Sequence, residues 1–215
     1  MERIICLIIG YACGLFQTGY LYGKMKHVDV REFGSGNAGT TNTMRVLGKK
    51  AGVITYLGDS LKAVAAGVIT NLIYGGSCQN MILVLLLYTG LGVVLGHNFP
   101  FYMGFKGGKG IAASSGVLIA LFDWKLIVLA FLTFVIVTTI SKYVSLGSLC
   151  MMAGFFIELV IFGQLGMVHN LHPDNRMEAY IIGFILSALA FYRHRANIGR
   201  LLNGTERKIG QKKEV

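Results

Sequence analysis

Four polar segments of this chain combine residue types that could do chemistry, and the first is rich in glycine. Residues 34–45 read Gly-Ser-Gly-Asn-Ala-Gly-Thr-Thr-Asn-Thr-Met-Arg. Glycines let backbone N–H groups approach an anion closely, and a helix that begins after them adds a favourable dipole. If a helix starts near Ala38, Thr41 and Arg45 lie one turn apart, and the planar guanidinium suits phosphate. The segment predicts phosphate binding by Ser35, Gly36, Asn37, Gly39, Thr41, Asn42 and Arg45.

Two other interpretations of this segment stay open. Formally it contains GxGxxG, but a dinucleotide site needs a preceding strand and a βαβ unit, and here an apolar run follows. A flexible loop at the membrane interface would also be rich in glycine and serine. Such a loop rarely combines several hydroxyl and amide side chains with a following arginine, so the pattern favours the anion site.

The second polar segment, residues 96–110, places two lysines among glycines. It reads Gly-His-Asn-Phe-Pro and then, from residue 104, Gly-Phe-Lys-Gly-Gly-Lys-Gly. It is not a Walker A loop, because Gly110 stands where Ser or Thr is required. Lysines on a glycine-bent backbone still bind phosphate as point charges, although lysines also anchor membrane helices on the cytoplasmic side. The candidate binding residues are His97, Asn98, Lys106, Gly107, Gly108 and Lys109.

The third and fourth polar segments are short and follow apolar runs. Residues 141–147 contain Ser145, and residues 192–206 contain His194 and Asn197, which share a face if the last helix continues. Positive charge on both sides of His194 should lower its pKa and leave it neutral near pH 7. Taken alone, these segments are typical of an interfacial loop and of a basic tail beside a membrane helix.

The predicted site is rich in anion donors and poor in bases. The sequence contains no Ser-His-Asp order, no HExxH and no paired-carboxylate motif, and its cysteine spacing predicts neither a metal site nor disulfides. Asp59 and Lys62 stand three residues apart in an apolar run, where they can pair in a structural or a functional role. We therefore expect phosphate-bearing substrates, catalysis by positioning and charge stabilisation, and no cofactor or metal.

The elements that hold these segments are predicted to lie in a membrane. Hydrophobic residues make up 54% of the chain and charged residues 14%, against about 25% in a soluble domain. Mean hydropathy is +0.61. A net charge of +10 would raise nucleic acid as a partner of a soluble protein, but in a membrane protein it records orientation and contact with anionic lipid. We expect membrane lipids and no nucleic acid as partners.

Seven apolar runs predict an all-α, polytopic membrane helix bundle with about seven transmembrane helices. They cover residues 4–22, 51–73, 81–96, 111–122, 126–140, 144–165 and 178–192. The fourth and fifth runs could form one long helix, but the Asp-Trp-Lys sequence at 123–125 is typical of a turn at the membrane surface. With seven spans, sixteen Lys and Arg residues lie on one side and only Arg3, Lys125 and Arg176 on the other; with six spans each side has nine. The positive-inside rule therefore favours seven spans, with the N-terminus outside and the C-terminus in the cytoplasm.

This topology brings all four polar segments to one cytoplasmic face. We expect a single membrane-integral domain over residues 1–215, with a short basic cytoplasmic tail at 193–215, in the plasma (inner) membrane. A transporter for a phosphorylated solute would instead need polar groups near mid-membrane and an outward path. A lipid-binding scaffold would not need glycines and amides concentrated with cations.

Three motifs in this order are similar to those of the bacterial acyl-phosphate:glycerol-3-phosphate acyltransferase family. They are residues 34–45, the two glycine-containing runs within 96–110, and His-Arg-x-Asn-Ile with Asn-Gly-Thr-Glu within 194–206. The resemblance covers nearly the whole chain. It implies transfer of an acyl group from acyl phosphate to the 1-hydroxyl of sn-glycerol 3-phosphate, without acyl-CoA or acyl carrier protein. The products would be lysophosphatidic acid (1-acyl-sn-glycerol 3-phosphate) and phosphate, in the first step of phospholipid synthesis.

On this resemblance we assign roles to the predicted site residues. The expected catalytic residues are Ser35, Arg45, Lys109, His194 and Asn197. Thr41 is expected to join the first three in holding the acyl-phosphate head, and Ser145 to join the last two in orienting glycerol 3-phosphate. The proton acceptor is His194 or a substrate phosphate oxygen, and the lack of a strong base favours the phosphate. A monomer is expected to suffice.

Overall fold

A computed structural model describes residues 1–211 and contains, within them, ten α-helices and three short 3-10 turns. The helices are α1 (Glu2–Gly14), α2 (Thr18–Met25), α3 (Thr40–Leu47), α4 (Lys49–Tyr74), α5 (Ile82–Asn98), α6 (Ile111–Ala120), α7 (Trp124–Ser141), α8 (Val144–Gln164), α9 (Arg176–Arg193) and α10 (Arg195–Leu202). The 3-10 turns cover Gln79–Met81, Phe101–Met103 and Pro173–Asn175. The all-α prediction is confirmed. Lys212 and Lys213, which were counted in the basic tail, lie outside the described residues.

Five helical stretches in residues 1–211 are long and apolar enough to cross a membrane. They are Glu2–Met25, Lys49–Tyr74, Gln79–Met103, Trp124–Ser141 and Val144–Gln164. The helix α6 has only 10 residues, and α9 begins and ends on arginine. The length and composition of these helices fit the predicted membrane-integral class, whereas seven spans and the orientation of the termini stay predictions.

Residues 111–141 form two helices rather than one, as the sequence at 123–125 predicted. The turn between α6 and α7 is held by Asp123, whose side chain accepts hydrogen bonds from the backbone N–H groups of Lys125 at 3.0 Å and Leu126 at 3.4 Å. Its second oxygen accepts from the N–H of His169, 2.8 Å away in the connection between α8 and α9. Asp123 is thus a helix cap that three separate N–H groups satisfy.

The first apolar run is broken in a way that the sequence did not indicate. Residues 4–22 were predicted as one span, but α1 ends at Gly14 and α2 begins at Thr18. Such a break frees backbone carbonyls that need donors inside the bundle. Lys62 of α4 donates to the carbonyls of Gly14, at 3.2 Å, and Phe16, and Tyr102 Oη donates to the carbonyl of Leu15 at 2.6 Å.

Helices α1 and α5 approach each other through paired glycines. A methyl group at Gly10 or Gly14 would overlap the backbone of α5, and one at Gly92 or Gly96 would overlap the backbone of α1. Both pairs follow the small-xxx-small spacing that allows membrane helices to pack closely. Around this contact α5 also packs against α4, α6 and α9, while α8 packs against α7 and α9. The bundle thus holds these helices next to one another.

Candidate active site

Two of the four predicted segments meet at the carboxylate of Glu206, and a third joins them through Asn197. Its Oε1 accepts from Asn197 Nδ2 at 2.6 Å and from Ser145 Oγ at 2.9 Å, and its Oε2 accepts from Arg200 Nε at 2.6 Å. Lys109 Nζ donates to Asn197 Oδ1 at 2.5 Å. The second, third and fourth polar segments therefore form one hydrogen-bonded cluster, which we call the Glu206 cluster (Lys109, Ser145, Asn197, Arg200 and Glu206).

The beginnings of three helices converge on this cluster. Lys109 lies two residues before α6, Ser145 is the second residue of α8, and Asn197 is the third residue of α10. The first N–H groups of a helix have no acceptor within the helix, and together they carry a partial positive charge. The backbone therefore adds to the attraction that the cationic side chains exert on a phosphate.

Arg45 brings the first segment into the same electrostatic environment. The predicted short helix after the glycines is present as α3, with Gly39 at its N-cap and Arg45 exposed on its last turn. Partial burial lowers the pKa of Arg45, and the positive charges of Arg207 and Arg200 lower it further, against the opposite effect of Glu206. These charge effects place Arg45 in the same positively charged region as Arg200 and Arg207, although among residues 1–211 no hydrogen bond joins it to the Glu206 cluster.

Lys109 and Glu206 are both charged at neutral pH, although burial opposes the charge of each. Burial lowers the pKa of Lys109 to about 8, with Arg200, Arg45 and Arg193 adding to the effect and Glu206 opposing it. Burial acts to raise the pKa of Glu206, but the hydrogen bonds from Asn197, Arg200 and Ser145 outweigh it and leave that pKa below its ordinary value. A site with several cations and one carboxylate has spare positive charge for an incoming anion.

His194 lies at the break between α9 and α10 and is only 3% exposed. Its Nδ1 is 2.8 Å from the carbonyl of Ala190, so Nδ1 carries the hydrogen and Nε2 is left as an acceptor. The pKa is lowered to about 4, chiefly by burial and then by Lys109. The expected direction is confirmed, but burial and Lys109 dominate, and of the two flanking arginines that motivated the expectation only Arg193 contributes, as the smallest effect. His194 is the N-cap of α10 and Asn197 is the third residue of that helix, so the two lie on one turn of α10 rather than on a continuation of α9.

Arg193 is a residue of the site that sequence reasoning treated as part of a basic tail. Its guanidinium donates to the carbonyls of Gly107 at 2.9 Å and Gly108 at 2.8 Å, and it stacks on Phe99 with 5.1 Å to the ring centroid. It thereby holds the glycine turn that precedes Lys109. The spacing of Arg193 in the sequence gives no sign of this contact, because the two carbonyls belong to a distant segment.

The other predicted residues of the second segment lie at different depths. His97 and Asn98 are buried beneath the glycine turn, with His97 Nδ1 2.9 Å from Lys62 Nζ. The Asn98 side chain has no hydrogen-bond partner among residues 1–211. Lys106 is exposed on the loop surface. Their predicted contacts with phosphate stay predictions, and for His97 the structure places the ring in the interior.

The amides of the first segment shape the glycine-rich loop. Asn42 accepts from the N–H of Ser35 at 2.7 Å and donates to the carbonyls of Val30 at 2.8 Å and Phe33 at 3.0 Å. Asn37 accepts from the N–H of Gly39 at 2.9 Å. Gly34 and Gly36 adopt φ values of +67° and +69°, which favour glycine. The Ser35 side chain is exposed and Thr41 is half-buried at the start of α3, where both can meet a ligand.

The chain is similar to known proteins over nearly its whole length. The family described as glycerol-3-phosphate acyltransferase matches residues 4–204, which include every predicted site residue. The glycerol-3-phosphate acyltransferase of Clostridioides difficile is 42% identical over 213 residues, covering 98% of this chain and 97% of that protein. The enzyme of the same name from Alkaliphilus metalliredigens is 39% identical over 217 residues, covering 100% of both chains.

Two crystal structures of PlsY, an integral membrane glycerol 3-phosphate acyltransferase, share this fold. Its glycerol 3-phosphate form matches with a TM-score of 0.81 at 34% identity, covering 98% of this chain and 96% of that one. Its lysophosphatidic acid form matches with a TM-score of 0.80 at 33% identity and the same coverage. The likeness therefore extends to the sequence, the helix arrangement and the membrane-integral class.

Proposed function

The chain belongs to the glycerol-3-phosphate acyltransferase family, and from this premise we propose that acyl phosphate is its acyl donor. The acyl group passes to the 1-hydroxyl of sn-glycerol 3-phosphate and gives 1-acyl-sn-glycerol 3-phosphate and phosphate. The observation that carries this proposal is the Glu206 cluster. It joins hydroxyl, amide and ammonium donors in one place, surrounded by arginines, which suits two phosphate-bearing substrates.

The two substrates occupy neighbouring halves of this site. Ser35, Thr41, Arg45 and Lys109 hold the acyl-phosphate head, together with N–H groups of the glycine-rich segments. His194, Asn197 and Ser145 orient glycerol 3-phosphate. The hydrogen bond between Lys109 and Asn197 supports this arrangement, because it joins one residue of each half. Two phosphates bound so close together repel each other, and the clustered cations offset that repulsion.

The chemical step forms an ester bond between the substrate hydroxyl oxygen and the acyl carbon. The bond from that carbon to the phosphate oxygen breaks, and phosphate leaves with the electron pair. Lys109 and Arg45 stabilise the negative charge that develops. A pKa of about 4 makes His194 a weak base, so a phosphate oxygen of a substrate takes the hydroxyl proton and His194 orients the hydroxyl through Nε2.

The proposal also covers the location of the protein, the position of the acyl chain and the oligomeric state. The whole chain acts as one membrane-integral domain in the plasma (inner) membrane, and the site faces the cytoplasm, where glycerol 3-phosphate is dissolved. The acyl chain lies between helices in contact with lipid. Every residue of the Glu206 cluster comes from one chain, which supports function as a monomer.

One assay tests this proposal directly. Purified protein in detergent is given acyl phosphate and glycerol 3-phosphate, and both phosphate release and 1-acylglycerol phosphate are measured. Folded protein that forms no product would refute the proposed donor, and acyl-CoA and acyl carrier protein substrates would be tried in its place.

Arg45→Ala should lower turnover by about 100-fold or more, because it removes a cation from the developing phosphate charge. The matched control is Arg31→Ala, since Arg31 pairs with Asp29 and stacks on Tyr20, away from the cluster. Arg31→Ala should keep nearly normal turnover. An active Arg45→Ala variant would remove Arg45 from the site.

A further inference from the structure

A buried polar network lies beneath the glycine turn, between α4 and α5. Lys62 Nζ lies 3.1 Å from Asp59 Oδ1 and 2.9 Å from His97 Nδ1. Asp59 is 1% exposed, His97 2% and Lys62 8%. The expected pairing of Asp59 with Lys62 is confirmed, and His97 extends the pair toward the cytoplasmic loop.

His97 connects this network to Gly107 and Gly108. An ammonium only donates, so His97 Nδ1 accepts from Lys62 and Nε2 carries the ring hydrogen. The ring packs so closely on Gly108 that a methyl group there would overlap Nε2. The N–H of Gly108 also donates to the carbonyl of His97 at 3.1 Å. Lys62 thus fixes the ring against which Gly108 packs.

Lys109 follows Gly108 directly, so its ammonium group moves with the turn. Arg193 holds the carbonyls of Gly107 and Gly108, while the His97 ring supports Gly108. Between these supports the turn has little freedom to shift. A displacement of about 1 Å at a reacting group can lower a rate about 100-fold, so such support bears on the rate of reaction.

Stability alone is a poor explanation of the network. Moving a charged group out of water costs several kcal/mol, and the attraction within a buried pair offsets this only when the remaining polar atoms have partners. Asp59 Oδ2 is buried and has no hydrogen-bond partner among residues 1–211. Asp59 Oδ1 accepts from Lys62 and from Thr18 Oγ1 at 3.0 Å, so the unmet cost is that of Oδ2 alone, and a role in the reaction would explain why the pair is kept.

We propose that Asp59, Lys62 and His97 are positioning residues of the acyl transfer, which hold the Gly107–Gly108 turn and thereby set the position of the Lys109 ammonium. In this proposal all three act through the turn and none touches substrate, so a supporting role replaces the phosphate contact predicted for His97. This inference rests on the proposed function, because it takes Lys109 to hold the acyl-phosphate head.

His97→Ala tests whether the Asp59–Lys62 pair acts on the Gly107–Gly108 turn through the His97 ring. The variant does not change the buried charges, since the Asp59–Lys62 pair and the contacts of Lys62 with α1 stay in place. We expect kcat to fall about 10- to 100-fold and KM for acyl phosphate to rise, while KM for glycerol 3-phosphate stays within about threefold. The amount of folded protein is measured in parallel by thermal unfolding. A loss of kcat that matches the loss of folded protein, with both KM values unchanged, would overturn the proposal.

A second variant removes the pair as a whole. Asp59→Asn combined with Lys62→Met leaves no unpaired buried charge, and we expect the same rise in KM for acyl phosphate. Normal kinetics in this variant and in His97→Ala would overturn the proposal. Failure of both variants to fold would assign the network to stability and would overturn it as well.

Arg3→Met is the matched control for losing an ion pair. Arg3 pairs with Glu178 at the opposite ends of α1 and α9 from the site, so its loss should leave both KM values unchanged. An assay of the wild-type protein with acyl phosphate distinguishes failure of the proposed acyl donor from failure of the proposed positioning role. If it makes no product from acyl phosphate, the donor assignment fails; if it does and the variants behave like wild type, only the positioning role fails.

Discussion

Lys109 and His194 are two ionisable side chains that burial pushes toward their neutral forms, with different results at pH 7. The pKa of Lys109 falls to about 8 and leaves it largely charged, while the pKa of His194 falls to about 4 and leaves it neutral. A charged donor and a neutral acceptor are therefore present together in the Glu206 cluster and its surroundings. This combination suits binding of a phosphate next to a hydroxyl group.

The charge of Lys109 predicts a basic limit to activity. The ammonium loses its proton as pH rises through about 8, so kcat/KM for acyl phosphate should fall above that pH. Lys109→Arg, whose guanidinium stays charged, should move the fall to higher pH even if it lowers the maximum rate. A pH–rate profile from pH 6 to 10 measures both. Identical basic limits in the two proteins would contradict the assignment.

The neutral state of His194 predicts a loss of stability in acid. Its pKa lies below the ordinary value of 6.5, so the unfolded chain binds the proton first as pH falls. Stability contributed by neutral His194 is complete above about pH 6.5 and is lost between 6.5 and 4, by at most about 1.4 kcal/mol per pH unit. Thermal unfolding of wild type and His194→Gln measures this slope, which should be smaller in the variant. Equal slopes would show that other groups cause the acid sensitivity.

In the candidate site, the sequence predicts the hydrogen-bond donors for phosphate better than it predicts the residues that hold these donors in place. Lys109, Ser145 and Asn197 were expected to share a site, because glycines, cations and amides concentrate in their segments. The contacts of Glu206 and Arg193 were not expected. Each joins segments far apart in the chain, and a single carboxylate or arginine in a basic tail has no local pattern that predicts its partner.

At the scale of elements, the packing of α1 on α5 depends on glycine. Gly92→Ala should lower the free energy of unfolding by about 1–3 kcal/mol, because its methyl group would overlap the backbone of α1 and force the helices apart. Gly76→Ala is the matched control, since a methyl group there meets nothing within 4 Å. Thermal unfolding in detergent compares the two. Equal stability would mean that the two helices adjust at little cost.

The helix positions follow the apolar runs closely, and the exception has a physical cause. The runs at 126–140 and 144–165 become α7 and α8 with end shifts of one or two residues. The run at 4–22 breaks at residues 15–17, although it contains no proline or charge there. Gln17 donates locally to the carbonyl of Gly14 at 3.4 Å, but the closer donors, Lys62 and Tyr102, come from distant parts of the chain, so no local pattern predicts the break.

For the whole molecule, the predicted topology has a direct test at position 125. In a variant without Cys6, Cys13, Cys78 and Cys150, we introduce Lys125→Cys or, as the cytoplasmic counterpart, Lys50→Cys. An impermeant maleimide added to intact cells should label position 125, while position 50 should react only after the membrane is opened. Labelling of position 50 alone in intact cells would invert the proposed orientation and place the site outside.

The Asp123 turn bears on how the protein enters the membrane during synthesis. An α-helix of 10 residues is about 15 Å long, half the thickness of the hydrocarbon core, so α6 is too short to insert as an independent span. We therefore expect residues 111–141 to enter the bilayer as one apolar stretch with a single polar interruption. The hydrogen bond from His169 to Asp123 forms only after α8 has been synthesised, so the hairpin of α6 and α7 is completed by a later part of the chain. We therefore expect membrane insertion and tertiary folding to be coupled at this turn.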